Sequence, residues 1–118
     1  MNREETMFYT TDGYKNITAE DLNEKIEKGG DLLLLDVRTP AEHASHAIEG
    51  SYLIPVQELS ARIAELPRDK EIVVYCRVGN RSAFASAHLA RLGYNVKNLE
   101  GGIAAWSMMD HTAFARVS

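Results

Sequence analysis

Cys76 is the only cysteine in the chain, and its neighbours are the kind that change what a thiol can do. Ile72-Val73-Val74-Tyr75 precedes it, a short apolar, β-branched run that reads as a buried strand. From Arg81 or Ser82 onward the pattern predicts a helix, with Ala83, Ala87, Leu89 and Ala90 turned toward a sheet. Between strand and helix lies a tight polar loop, Arg77-Val78-Gly79-Asn80. A strand end, a glycine loop and a helix N-terminus together aim several backbone N–H groups into one small concavity. Such a concavity favours negative charge. Cys76 is expected at its entrance, with Arg77 and Arg81 adding two full positive charges. A thiol there ionises readily and becomes a nucleophile, with a pKa in the range of about 3.5–7.5. Gly79 supplies backbone angles that turn an N–H inward, and Asn80 tolerates the left-handed region better than most residues. A lone cysteine without such a setting is more often an inert, buried small hydrophobe.

The elements that must hold this loop follow from the rest of the chain. Thr18 caps a helix with Glu20 and Asp21 in its first turn and Leu22 and Ile26 on one face; Gly29-Gly30 stops it. A brief strand at Asn16-Ile17 comes before it, and Leu32–Leu35 is a second strand by its length. Thr39-Pro40-Ala41-Glu42 is a capping box with proline at the first helical position, opening a helix that Gly50 keeps short. Ser51–Ile54 reads as a strand closed by Pro55, and Val56, Leu59, Ile63 and Leu66 mark a helical stripe ended by Pro67. Asn95–Leu99 is a last strand, and Ile103–Met108 a short helix carrying Trp106 as a core plug. Met7-Phe8-Tyr9 and Tyr14 could pack as an edge or arm, and the tail 110–118 stays unassigned. Alternating strands and helices predict an α/β domain, a mainly parallel sheet of about five strands with helices on both faces. Ligands of such sheets bind at the C-terminal strand ends, where Asp36 and Cys76 would both sit.

Composition narrows the function. The 118 residues predict one domain, with its core from about 16 to 107. A formal net charge of −4 argues against nucleic acid as a general partner. The longest apolar run, Leu32–Leu35, is too short to span a membrane. One thiol excludes an internal disulfide and suits a reducing compartment, and Met1-Asn2-Arg3-Glu4-Glu5 lacks the apolar core of a secretory signal. The expectation is a cytoplasmic protein. His43 and His46, flanked by Glu42 and Glu49, lack a third ligand at clear spacing, so no metal is expected. Asp36 and Arg38 are read as local partners rather than an acid–base pair: Asp36 bonded to loop backbone, Arg38 to Glu42 or another nearby carboxylate. His88 is read as packing or surface.

Four blocks in order resemble the rhodanese-like domain family. They are Leu35-Asp36-Val37-Arg38-Thr39-Pro40-Ala41-Glu42; Ile48-Glu49-Gly50-Ser51 with Ile54-Pro55; Val74-Tyr75-Cys76-Arg77-Val78-Gly79-Asn80-Arg81-Ser82; and Leu99-Glu100-Gly101-Gly102 with Trp106. The resemblance runs from about Ile17 to Trp106. It implies a sulfurtransferase with no metal or organic cofactor. Cys76 would carry a sulfane sulfur as a persulfide, taken from a small anionic donor such as thiosulfate and passed to cyanide, a thiol or a protein acceptor. Arg77, Val78, Gly79, Asn80, Arg81 and Ser82 would form the substrate cradle. Two departures stand out. His46-Ala47 occupies the place of the family's usual Gly-His, which predicts altered packing there, and the Gly-Pro turn common after the tryptophan is missing from 107–118. Val78 is neutral, which weakens the case for thiosulfate as the natural donor.

Two alternatives remain open at this stage. Cysteine-dependent phosphatases and some arsenate reductases close their loop on an arginine six positions after the cysteine; that position here is Ser82, and Arg81 closes a ring one residue tighter. The tighter ring suits a single sulfur and crowds a phosphoryl group. A non-catalytic docking module on the same fold is the other alternative.

Overall fold

The computed structural model describes residues 13–109. Five strands form one sheet: β1 (Lys15–Ile17), β2 (Leu32–Asp36), β3 (Tyr52–Leu53), β4 (Glu71–Tyr75) and β5 (Val96–Leu99). Their order is β1-β5-β4-β2-β3, and every pairing is parallel. Four α-helices connect or flank them: α1 (Ala19–Glu27), α2 (Pro40–Ser45), α3 (Asn80–Arg91) and α4 (Gly102–Met108).

The central strand β4 explains the continuous apolar run. Ile72, Val74 and Cys76 join one core cluster, with Leu35, Val37, Ala85 and Leu89; Val73 and Tyr75 join another, with Leu22, Leu34, Leu99 and Ile103. Residues alternate between faces along a strand, and both faces of β4 are covered, so both sets are apolar. Helix α3 covers the first face, while α1 and α4 cover the second. Tyr14 lies in the first cluster; Met7-Phe8-Tyr9 and the tail lie outside the described residues. Among the described residues no helix is long and apolar enough to cross a membrane.

One expected element differs. The stripe of Val56, Leu59, Ile63 and Leu66 does not form a continuous helix. It forms two 3₁₀ turns, Val56–Glu58 and Ile63–Glu65, although Leu59 and Leu66 are buried as the stripe implies. Bonds such as Leu59 N–H to Val56 O and Leu66 N–H to Ile63 O tighten the backbone. The Tyr94 hydroxyl donates to Ile63 O at 3.3 Å, giving that carbonyl a tertiary partner. Between Pro55 and Pro67 the chain follows the core surface instead of a helix axis. The strand expected over Ser51–Ile54 shrinks to Tyr52–Leu53 at the sheet edge.

Candidate active site

The C-terminal ends of β2 and β4 lie side by side, with Asp36 in register with Tyr75. Cys76 leaves β4 there, and the chain turns through Gly79 into α3. Gly79 has φ of 122°, the one positive φ in the loop, where a side chain is strained. Asn80 is not left-handed; it is the first helical residue, so α3 begins one residue earlier than its pattern predicts.

The turn aims its amides at sulfur. Gly79 N–H lies 3.1 Å from Sγ of Cys76 and Ser82 N–H 3.3 Å from it. Ser82 Oγ is 3.3 Å from Sγ, and the Ser82 hydroxyl donates to Gly79 O at 3.2 Å. In this state the thiol donates to the hydroxyl; on ionisation the hydroxyl can turn and donate to sulfur. Cys76 is only 1 % exposed, so the thiol is the floor of the loop and not its entrance. Burial is the largest influence on it and pushes its pKa up. Hydrogen bonds from the Ser82 side chain and from the amides of Ser82, Gly79 and Arg81 outweigh burial, leaving the thiol more acidic than usual. Ser82→Ala is therefore expected to move the thiol's titration to higher pH and to slow its alkylation about tenfold on the acid side, the worth of one charge-assisted hydrogen bond. Thiolate absorbance against pH checks this; an unchanged curve would show the hydroxyl to be idle.

The loop is propped from behind by α4. Ile103 N–H donates to Cys76 O at 2.9 Å and Ala104 N–H to Arg77 O at 3.0 Å. These bonds fix the first peptide groups of the loop, ahead of the amides that meet the sulfur. Gly102 makes the approach possible: it has φ of 58°, and a Cβ there would lie 2.4 Å from Cys76 O and 2.5 Å from Arg77 O.

The two arginines of the loop have different surroundings. Arg81 turns its guanidinium to Glu42, in two bonds of 2.8 and 3.0 Å. This pairing is not expected from the sequence; it gives Glu42 a partner other than Arg38, while the charge of Arg81 still feels the Cys76 sulfur. The Arg81 guanidinium holds the Glu42 carboxyl down to about 2, with help from the Thr39 amide. Arg77 and Val78 are exposed, and among the described residues the Arg77 guanidinium has no carboxylate partner. No local signal in the sequence joins Glu42 to Arg81; the capping box explains Glu42 by itself.

Beside the loop lies a buried polar cluster. Arg38 binds Asp36 through Nε at 2.9 Å and Nη2 at 2.8 Å, and its own amide donates to Asp36 at 3.0 Å. The bonded-partner reading of this pair thus stands. Burial pushes the Asp36 carboxyl up, but bonds from Arg38 and His43 bring it below the usual range. His43 Nδ1 lies 2.8 Å from Asp36 Oδ2, and the Tyr75 hydroxyl donates to the same oxygen at 3.2 Å. Tyr75 also accepts from Ile48 N–H at 3.1 Å. The cluster ties the segment from Asp36 to Ser51 onto the strand end just before Cys76. Breaking a buried pair of this kind costs about 3–5 kcal/mol, because one charge is left without a partner. His46, in the place where the family has glycine, turns away to Ser107 at 2.9 Å. The two histidines thus go to separate partners, and His88 Nε2 lies 3.4 Å from Ser60 Oγ. Among the described residues no three His, Cys, Asp or Glu converge as a metal site. Trp106 is partly buried against the second core cluster.

Known proteins are similar to this chain in sequence and fold. The rhodanese-like domain matches over residues 18–109. A protein of Allochromatium vinosum named sulfurtransferase is 42 % identical over 92 residues, covering 77 % of this chain and 86 % of its own. The putative sulfurtransferase YtwF of Bacillus subtilis is 37 % identical over 92 residues, covering 78 % and 89 %. The crystal structure of a rhodanese-related protein from Thermoplasma volcanium superposes with a TM-score of 0.75 at 42 % identity, over 80 % of this chain and 91 % of that one. With a parallel five-stranded sheet and a cysteine loop at its C-terminal edge, the chain belongs to the rhodanese-like domain family, which includes proteins named sulfurtransferases.

Proposed function

We propose that this protein transfers sulfane sulfur by way of a persulfide on Cys76. The observation that carries the proposal is the pair of backbone amides 3.1 and 3.3 Å from a buried Sγ. Both half-reactions develop negative charge on sulfur, and preorganised donors stabilise such charge without having to reorient. In the first, the Cys76 thiolate attacks the outer sulfur of a donor. The donor S–S bond breaks, and its electron pair leaves with the rest of the donor, as sulfite if the donor is thiosulfate. In the second, an acceptor nucleophile attacks the outer sulfur of the persulfide, and the Cys76 thiolate departs. The persulfide's outer sulfur stands about 2 Å beyond Sγ, which helps an acceptor meet a cysteine that is itself buried. Cyanide, a small thiol or a protein thiol all suit the acceptor step. A reducing cytoplasm suits a thiol that must stay unoxidised between turnovers. The phosphatase reading has less support, since its closing arginine must face an oxyanion and Arg81 is committed to Glu42.

The test is a mass spectrum after incubation with a sulfur donor. One sulfur atom's mass should appear on the peptide containing Cys76, and cyanide should remove it as thiocyanate. No gain with thiosulfate or with a small-molecule persulfide, or steady turnover of an aryl phosphate, would reject the reading.

A further inference from the structure

The charges around the loop are unequal in a way that bears on which donor it accepts. Glu42 neutralises Arg81 through a two-point ion pair, and Glu42 is itself fixed from behind. Its Oε1 accepts the Thr39 amide at 3.0 Å, and its own amide donates to Thr39 Oγ1 at 3.2 Å, so the first turn of α2 holds the carboxylate in place. The buried carboxylate nearby, Asp36, is already matched by Arg38. Val78 brings no charge, and Arg77 is left as the loop's unpaired cation among the described residues. A dianion such as thiosulfate needs more than one cation to offset its desolvation in a shallow loop.

We propose that Glu42 is the residue that sets donor charge specificity: by neutralising Arg81 in a two-point ion pair, it favours singly charged thiol persulfides over dianionic thiosulfate. This rests on the sulfurtransferase reading above. The favoured step is attack of Cys76–S⁻ on the outer sulfur of R–S–S⁻. One S–S bond forms, the donor's S–S bond breaks, and RS⁻ leaves with the electron pair, taking a proton from water.

Glu42→Gln tests it cleanly. Glutamine still serves the third position of a capping box, so α2 keeps its cap while the charge is lost. Arg81 is then free to meet the donor. Persulfidation of Cys76 is followed by mass spectrometry with thiosulfate and, separately, with the persulfide of β-mercaptoethanol, which has no other charge. The ratio of the thiosulfate rate to the persulfide rate should rise about fivefold or more, as expected for one added cation beside a doubly charged donor. In the Glu42→Gln/Arg81→Gln double variant the freed charge is gone and Arg77 is left as in the parent, so the ratio should return to within about twofold of the parent's. An unchanged ratio in Glu42→Gln, or an equal fall in both rates, would overturn the proposal and leave Glu42 a structural cap. A double variant that kept the raised ratio would also overturn it. Failure of the parent protein to accept sulfur from either donor would instead remove the sulfurtransferase reading itself.

Discussion

Cys76→Ser is expected to abolish sulfur transfer, with a fall of at least about a thousandfold in any thiosulfate- or persulfide-dependent turnover, while the protein stays folded. The two halves of that expectation have separate causes. A serine hydroxyl does not ionise in the range where the loop's amides can stabilise the anion, and oxygen cannot hold a sulfane sulfur through two displacements. The amides of Gly79 and Ser82 still find an acceptor in serine Oγ, so no buried donor is orphaned. Stability should therefore change by about 1 kcal/mol or less. Thermal melting together with the mass spectrum checks both halves. A serine variant that still transferred sulfur would move the chemistry elsewhere in the protein, and one that failed to fold would make Cys76 a packing residue.

Gly102→Ala is expected to disturb the site from a position that never touches a substrate. An alanine Cβ would be driven to within 2.4 Å of Cys76 O and 2.5 Å of Arg77 O, both backbone atoms that cannot swing aside. The left-handed φ of 58° adds about 1 kcal/mol for any L side chain. To relieve the contact, α4 must retreat, and the bonds from Ile103 and Ala104 to those carbonyls are lost. The carbonyl of buried Cys76, left without a partner, costs about 1–3 kcal/mol, and the bond to Arg77 O is lost as well. The sum is about 3 kcal/mol or more, which lowers Tm by on the order of 10–20 °C in a domain of this size. Activity should fall further than stability, because the freed Cys76 and Arg77 peptides no longer fix the start of the loop that carries the Gly79 and Ser82 amides. Calorimetry and the thiol's pH titration report the two effects. A variant melting within a few degrees of the parent, with an unaltered thiol titration, would remove α4 as the loop's support.

These two residues also divide what could be read early from what could not. The strand before Cys76, the glycine turn and the helix after it are local matters. Apolar runs, backbone permissiveness and helix periodicity act over a few residues, and each is written in the residue types. The alternation of Ile72 and Val74 against Val73 and Tyr75 is hidden in the sequence, since both sets are apolar, yet it still announces a strand buried on both faces. The stripe from Val56 to Leu66 shows the limit of periodicity. It identified which residues face the core but not the backbone that carries them.

From its residues alone the chain is readable as an α/β domain built around a nucleophilic cysteine loop, because both features arise from short-range backbone preference and hydrophobic pattern. Tertiary structure alone decided that the sulfur lies at the loop's floor, that α4 props the loop's carbonyls, and that Arg81 answers to Glu42, 39 positions earlier in the chain. Partners of that kind are selected by strand order and by the seating of helices on the sheet. A charge or a glycine in the sequence has no fixed neighbour until the folded sheet brings one to it.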